Sequence, residues 1–169
     1  MFVKNIQLLK AITFALGVIM ITNFYASAAF ANSSAKQKLQ KRLSDYQGQV
    51  IYIDFWASWC KPCRKSFPWM NSLKTRFYDQ GLRILAVNLD KDQVLAKEFI
   101  KNNPALFDII FDTQGEIASE FKLEGMPMSF VLDRNGSVVA SHVGFNSKKI
   151  TDYEAEIVEA LNQRELAND

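Results

Sequence analysis

The chain has 169 residues, with 20 Lys+Arg against 18 Asp+Glu and one histidine, for a formal net charge of +2. That length suits one domain plus a targeting segment. The near balance of charge, with no basic patch interleaved with aromatics, argues against a nucleic-acid partner, and two cysteines with one histidine fall short of a four-ligand zinc site of Cys and His.

The N-terminus reads as a secretory signal over residues 1–31. Lys4 and Lys10 form a positive n-region, residues 11–21 an apolar h-region, and Ala29-Phe30-Ala31 a small-x-small cleavage site, with Ala26-Ser27-Ala28 as the alternative. No cysteine lies near either site, so a lipid-anchored N-terminus is not supported. The rival reading is an uncleaved anchor over residues 11–31, which Thr13, Thr22, Asn23 and Ser27 dilute. Cleavage after Ala31 leaves residues 32–169 with a net charge near zero, because Lys4 and Lys10 are the only charges removed. Export to the periplasm or another extracytoplasmic space agrees with a lone cysteine pair, since disulfide chemistry persists outside the cytosol.

Ser33 or Ser34 caps a first helix to about residue 44, with Leu39 and Leu43 inward. Residues 50–57 are a nearly continuous apolar run, as in a strand covered on both faces. Alternation puts Tyr52, Asp54 and Trp56 on one face and Ile51, Ile53 and Phe55 on the other. Trp59-Cys60-Lys61-Pro62-Cys63 then opens a helix to about residue 79, with Phe67, Met70, Leu73 and Phe77 at helical spacing. Pro62 sits just inside its start, where a missing N–H costs nothing. Residues 83–89 form a second buried strand, and 91–102 a helix with Val94, Leu95, Phe99 and Ile100 inward, stopped by Asn103-Pro104. A short strand at 108–112 and a short helix at 114–121 follow. Strands 128–132 and 138–143 are joined by the turn Asp133-Arg134-Asn135-Gly136. His142, in the second of these, reads as structural. Thr151-x-x-Glu154 is a capping box for the last helix, whose apolar stripe is Tyr153, Ile157 and Leu161. Helices and strands that alternate and then close with a hairpin and a helix make an α/β layer fold with a mixed central sheet.

The chemistry concentrates at the two cysteines. A helix N-terminus carries partial positive charge and unpaired N–H groups, so a thiolate placed there is stabilised. Cys60 comes first and is the expected nucleophile, at the exposed lip of the helix. The neighbouring Lys61 adds to the effect, and together they lower the thiol pKa below about 8.5. Cys63, one turn inward, is the resolving thiol, and Pro62 stiffens the loop between them. Half of a zinc site is an alternative use of the motif. So is a structural disulfide, although so short a loop constrains the unfolded chain little. Asp54 is the only charged residue between Val50 and Trp59. A carboxyl buried behind the cysteines has a raised pKa and is able to take the Cys63 proton, directly or through one water. The alternative is a polar residue on an exposed strand face.

Residues 50–68, V-I-Y-I-D-F-W-A-S-W-C-K-P-C-R-K-S-F-P, resemble the active-site segment of thioredoxin-like proteins, and most of all the exported thiol–disulfide oxidoreductases of the TlpA/ResA family. Leu43-Ser44-Asp45-Tyr46-Gln47-Gly48, Phe111-Asp112 and Gly125-Met126-Pro127-Met128-Ser129-Phe130-Val131-Leu132-Asp133 resemble other landmarks of that family, so the likeness covers about residues 40–162. It implies a thioredoxin-like fold for residues 32–169, with an added strand–helix segment between its halves and a helix that kinks at Pro68 rather than ending there. It implies that Met126-Pro127 is a cis-proline loop facing the cysteines, with Met126 against the sulfurs and backbone groups offered to an extended substrate. Trp59, Lys61, Pro62, Met126 and Pro127 are then the expected substrate-binding residues, and Trp56, Trp59 and Phe145 an apolar platform. Asp54 stands six residues before the first cysteine, the position used in thioredoxins. Many TlpA/ResA members instead carry an amide there and an acid three residues after the second cysteine, where this chain has Ser66.

The implied function is an exported enzyme that reduces protein disulfides through Cys60 and Cys63, without a cofactor or metal. It acts on disulfide-containing proteins and is recharged by a membrane electron-transfer partner. One alternative is an oxidant of the same fold, toward which a stabilised Cys60 thiolate pushes. Another is a Cu(I) chaperone using Cys60, Cys63 and Met126 or Met128, although copper-binding relatives use a wider C-x-x-x-C and a distant histidine. A thiol peroxidase lacks its lone peroxidatic cysteine.

Overall fold

Strand β1 (Val50–Trp56) is the centre of the sheet, and all seven of its residues are buried. It is seen here in a computed structural model that describes residues 34–163. The expected secretory segment, the candidate cap Ser33 and residues 164–169 lie outside the described residues. β1 pairs in parallel with β2 (Leu82–Asn88), and β2 in parallel with β3 (Asp108–Phe111). On its other side β1 runs antiparallel to β4 (Met128–Leu132), which pairs antiparallel with β5 (Val138–Val143). The order β3-β2-β1-β4-β5 makes a mixed five-stranded sheet, as the sequence predicts.

Both faces are covered, which is why β1 is apolar at nearly every position. Tyr52 and Trp56 pack on one face with Phe67, Met70 and Leu73 of α2 (Lys61–Phe77), Ala96 and Phe99 of α3 (Gln93–Asn102), and Tyr153 and Ile157 of α5 (Ile150–Asn162). Ile51, Ile53 and Phe55 pack on the other with Leu39 of α1 (Ala35–Asp45) and Ile117 of α4 (Glu116–Glu120). The alternation expected of β1 therefore holds. The segment between β2 and β4 carries α3, β3 and α4, the additional strand and helix that extend the sheet to its β3 edge. Helix α2 runs on through Pro68, which is exposed, and ends at Phe77.

Two local expectations are corrected. Val94 and Leu95 are exposed, because α3 buries the face made by Ala96, Phe99 and Ile100 at spacings of three and four. Val94 lies opposite that face and Leu95 beside it. Thr151 and Glu154 form no capping box. The chain enters α5 through a 3₁₀ turn (Ser147–Lys149), where the Asn146 side chain accepts the Lys148 N–H at 3.0 Å, and α5 begins before Thr151. Glu154 instead accepts from Trp69 Nε1 at 2.9 Å and pairs with Arg76, whose hydrogen bonds hold its carboxyl below the usual carboxylate range.

The buried Asp112 carboxylate accepts the N–H groups of Glu116, Ile117 and Ala118, each at 2.9 Å, and so starts α4 at a glycine that has no capping side chain. Asp112→Ala leaves those donors unpaired and is expected to cost about 1–2 kcal/mol. A urea titration with a lowered midpoint and unchanged slope checks it; an unchanged midpoint removes the capping role.

Candidate active site

β1 ends at Trp56, and the chain crosses to α2 in a tight turn closed by the Cys60 N–H on the Ala57 carbonyl at 3.1 Å. Cys60 is the N-cap of α2 in an extended conformation, and its Sγ accepts the Cys63 N–H at 3.3 Å. The sulfur therefore sits where the helix presents unpaired N–H groups and partial positive charge. Cys60 and Cys63 are joined as a disulfide with Cα atoms 5.3 Å apart. Cys60 keeps 5% of its surface exposed and Cys63 none. The expected exposed lip is thus a narrow opening, but it opens onto Cys60. Pro62 lies in the first helical turn, Lys61 is exposed, and the Ser66 hydroxyl donates to the Cys63 carbonyl at 2.8 Å.

Asp54 is 1% exposed, and its Oδ2 makes no hydrogen bond within the protein. It lies between Tyr52 and Trp56 on the face of β1 against which both cysteines pack. Its strand neighbours in register are Ala86 of β2 and Ser129 of β4. Burial without a compensating cation pushes its carboxyl well above the ordinary aspartate range.

The remaining predicted residues divide. Trp59 is 64% exposed beside Cys60. Met126 and Pro127 are joined by a cis peptide bond, and Met126 packs against the cluster that holds the cysteines. The Pro127 carbonyl accepts the Gly144 N–H at 2.7 Å, which ties the cis-proline loop to the end of β5. Trp56 is no part of a surface platform. It is fully buried against Phe67 and Phe99, with ring centroids 4.7 and 5.3 Å away, because α2 and α3 cover its face of β1. Phe145 is half-buried and packs on Trp69 and Tyr153.

The model of the Redoxin family matches residues 22–157. The chain belongs to the Redoxin family. This redoxin is 30% identical over 156 residues to the thiol-disulfide oxidoreductase ResA of Geobacillus kaustophilus, across 87% of this chain and 90% of that one. Among solved structures, it is similar to a Chlorobium tepidum protein proposed to be the thiol:disulfide interchange protein DsbE. That pair shares 45% identity with a TM-score of 0.69, over 70% of this chain and 84% of the other. It is also similar to StoA of Bacillus subtilis, at 28% identity and a TM-score of 0.57, over 65% and 83%. The resemblance to the TlpA/ResA family and the thioredoxin-like fold are both borne out.

Sequence reasoning missed the group that holds the active-site loop of this redoxin. The buried Asp90 carboxylate accepts the Ser58 N–H and the Ser58 hydroxyl, each at 2.8 Å, and the Asn88 amide at 2.7 Å. Asn88 returns the contact by accepting the Asp90 N–H at 3.2 Å. The end of β2 is thereby tied to the turn that presents Trp59 and Cys60. The signal in the sequence is a pair of polar residues, Asn88 and Asp90, that follow the apolar run Ile84-Leu85-Ala86-Val87.

Proposed function

We propose that this redoxin is an exported thiol–disulfide oxidoreductase that reduces disulfides in protein substrates. The observation that carries the reading is the Cys60–Cys63 pair at the start of α2, with the opening on Cys60 and the buried Asp54 on the same face of the sheet. In the reduced protein the Cys60 thiolate attacks a substrate disulfide, the substrate S–S bond breaks, and one substrate thiolate leaves. Cys63 gives its proton to the Asp54 carboxylate and attacks Cys60 Sγ, releasing the second substrate thiolate and forming the Cys60–Cys63 disulfide. Two electrons pass to the substrate, and a membrane electron-transfer partner returns them.

Trp59, Lys61, Pro62, Met126 and Pro127 are the substrate-contacting residues in this reading, with exposed Trp59 supplying apolar area next to the reacting sulfur. Export rests on the secretory pattern of residues 1–31. Among the described residues no helix is long and apolar enough to cross a membrane.

The reduction potential of the Cys60–Cys63 pair tests the direction of electron flow, with Trp59 fluorescence reporting equilibration against glutathione or dithiothreitol. A value near that of thioredoxin, about −270 mV, is expected; one near about −120 mV marks an oxidant and overturns the reductant reading.

A further inference from the structure

We propose that His142 is a proton-relay residue that connects buried Asp54, through Ser129, to solvent at the β5–α5 edge. This rests on the reading of Asp54 as the proton acceptor of Cys63. The register lays the route out. Asp54 of β1 pairs with Ser129 of β4, and Ser129 pairs with His142 of β5. Directly opposed residues share a sheet face, with Cβ atoms about 4.5–5.5 Å apart. The three side chains therefore form one transverse row on the face that carries the cysteines. On the other side of Asp54 the row ends at Ala86, which has no side-chain polar atom.

The two ends of the row carry atoms with hydrogen-bonding capacity to spare. Asp54 Oδ2 and His142 Nδ1 are both buried and make no hydrogen bond within the protein. The other ring nitrogen, Nε2, lies 2.8 Å from Glu156 Oε2, with the His142 side chain 19% exposed and that of Glu156 39%. A cavity of about 420 Å³ opens there, lined among others by Ser141, His142, Glu156 and Glu159. The titratable groups around His142 are Glu156, Glu159 and Tyr153 from α5, the Tyr153 ring centroid being 4.7 Å away, together with Asp54 and Tyr52 from β1. β4 contributes Ser129, which is buried in the same row.

An imidazole suits the place because it accepts a proton at one nitrogen and releases one from the other. Neither Asp54 Oδ2 nor His142 Nδ1 bonds Ser129 at rest. When the Ser129 hydroxyl turns into reach of both, the Asp54 proton passes to its oxygen as its own proton passes to His142 Nδ1. The Nε2 proton then leaves to Glu156 or to solvent in the cavity. One proton exits and no electron moves; reduction of the disulfide runs the row in reverse.

The test is a laser-triggered pH jump on the full-length reduced protein, following the infrared carbonyl band of protonated Asp54, which Asp54→Asn identifies by removing it. His142→Gln and, separately, Ser129→Ala are expected to slow loss of that band about tenfold, with added imidazole restoring the rate in His142→Gln. A wild-type rate in His142→Gln, or a slowing that imidazole does not relieve, leaves His142 a structural residue and overturns the relay. Resolution of the mixed disulfide in Asp54→Asn reports on the acceptor reading by itself. If it is not slowed, that reading falls and the relay with it. If it is slowed while His142→Gln releases its proton at the wild-type rate, the relay alone falls.

Discussion

Cys60→Ser is expected to bring disulfide reduction down to the uncatalysed background, a loss of at least about 10³-fold, the scale on which removal of a nucleophile falls. The thiolate is the reacting species, and a serine hydroxyl in the same place is not ionised at neutral pH. Cys63→Ser is expected to fail differently. Cys60 still attacks, but nothing within the protein displaces the substrate, so a mixed disulfide accumulates. The burial difference between the two sulfurs is the reason for assigning the roles in this order: only Cys60 retains exposed surface. Insulin reduction followed by turbidity measures the first effect, and mass spectrometry of the unreduced adduct the second. A Cys60→Ser protein that turns over, or a covalent adduct on Cys63 in place of Cys60, reverses the assignment.

Asp54→Asn is expected to stabilise the fold and slow the enzyme. Burial raises the Asp54 carboxyl in the native state, whereas in the unfolded chain it titrates near about 3.9. Between those two values the folded protein holds a proton that the unfolded chain has released, so stability falls as pH rises. The contribution is fully present below about pH 4 and is lost as pH climbs through the raised native value. The asparagine variant lacks this slope. It should match the wild-type protein near pH 4 and exceed it at pH 8 by about 2 kcal/mol or more, since an unpaired buried charge costs several kcal/mol. Urea titrations at the two pH values check the sign; a difference that does not change with pH removes the claim that Asp54 ionises against its surroundings. The cost is kinetic. With no carboxylate to accept the Cys63 proton, resolution of the mixed disulfide should slow by about 10²-fold or more at neutral pH.

Those two substitutions fall on residues that are conspicuous in the chain itself. Two cysteines at helix-start spacing and one acid in an apolar run are anomalies that need no tertiary structure to be noticed. Alternation along β1, the Asp133–Gly136 turn and the core-facing residues of α2 were legible for the same reason: each depends on spacing within one element. The Gly136 N–H does close on the Asp133 carbonyl at 3.0 Å. Where spacing alone was asked to choose among apolar residues it failed, as at Val94 and Leu95, because the burial of a short helix depends on which of its sides meets the sheet.

What only the tertiary structure decided is which side chains meet across elements. Ser58 and Asp90 are 32 residues apart, and their bond exists because β1 and β2 are parallel neighbours that end together. Trp56 is core and Trp59 is surface, although both are tryptophans within one motif, because α2 and α3 close over the end of β1 and stop short of the turn. His142 looked structural from its position in a strand, and it joins the row from Asp54 only because β4 lies between β1 and β5. Periodicity is a property of one element and is written into the chain locally, whereas the partner of a polar group is set by sheet order and register, which arise when distant segments pack.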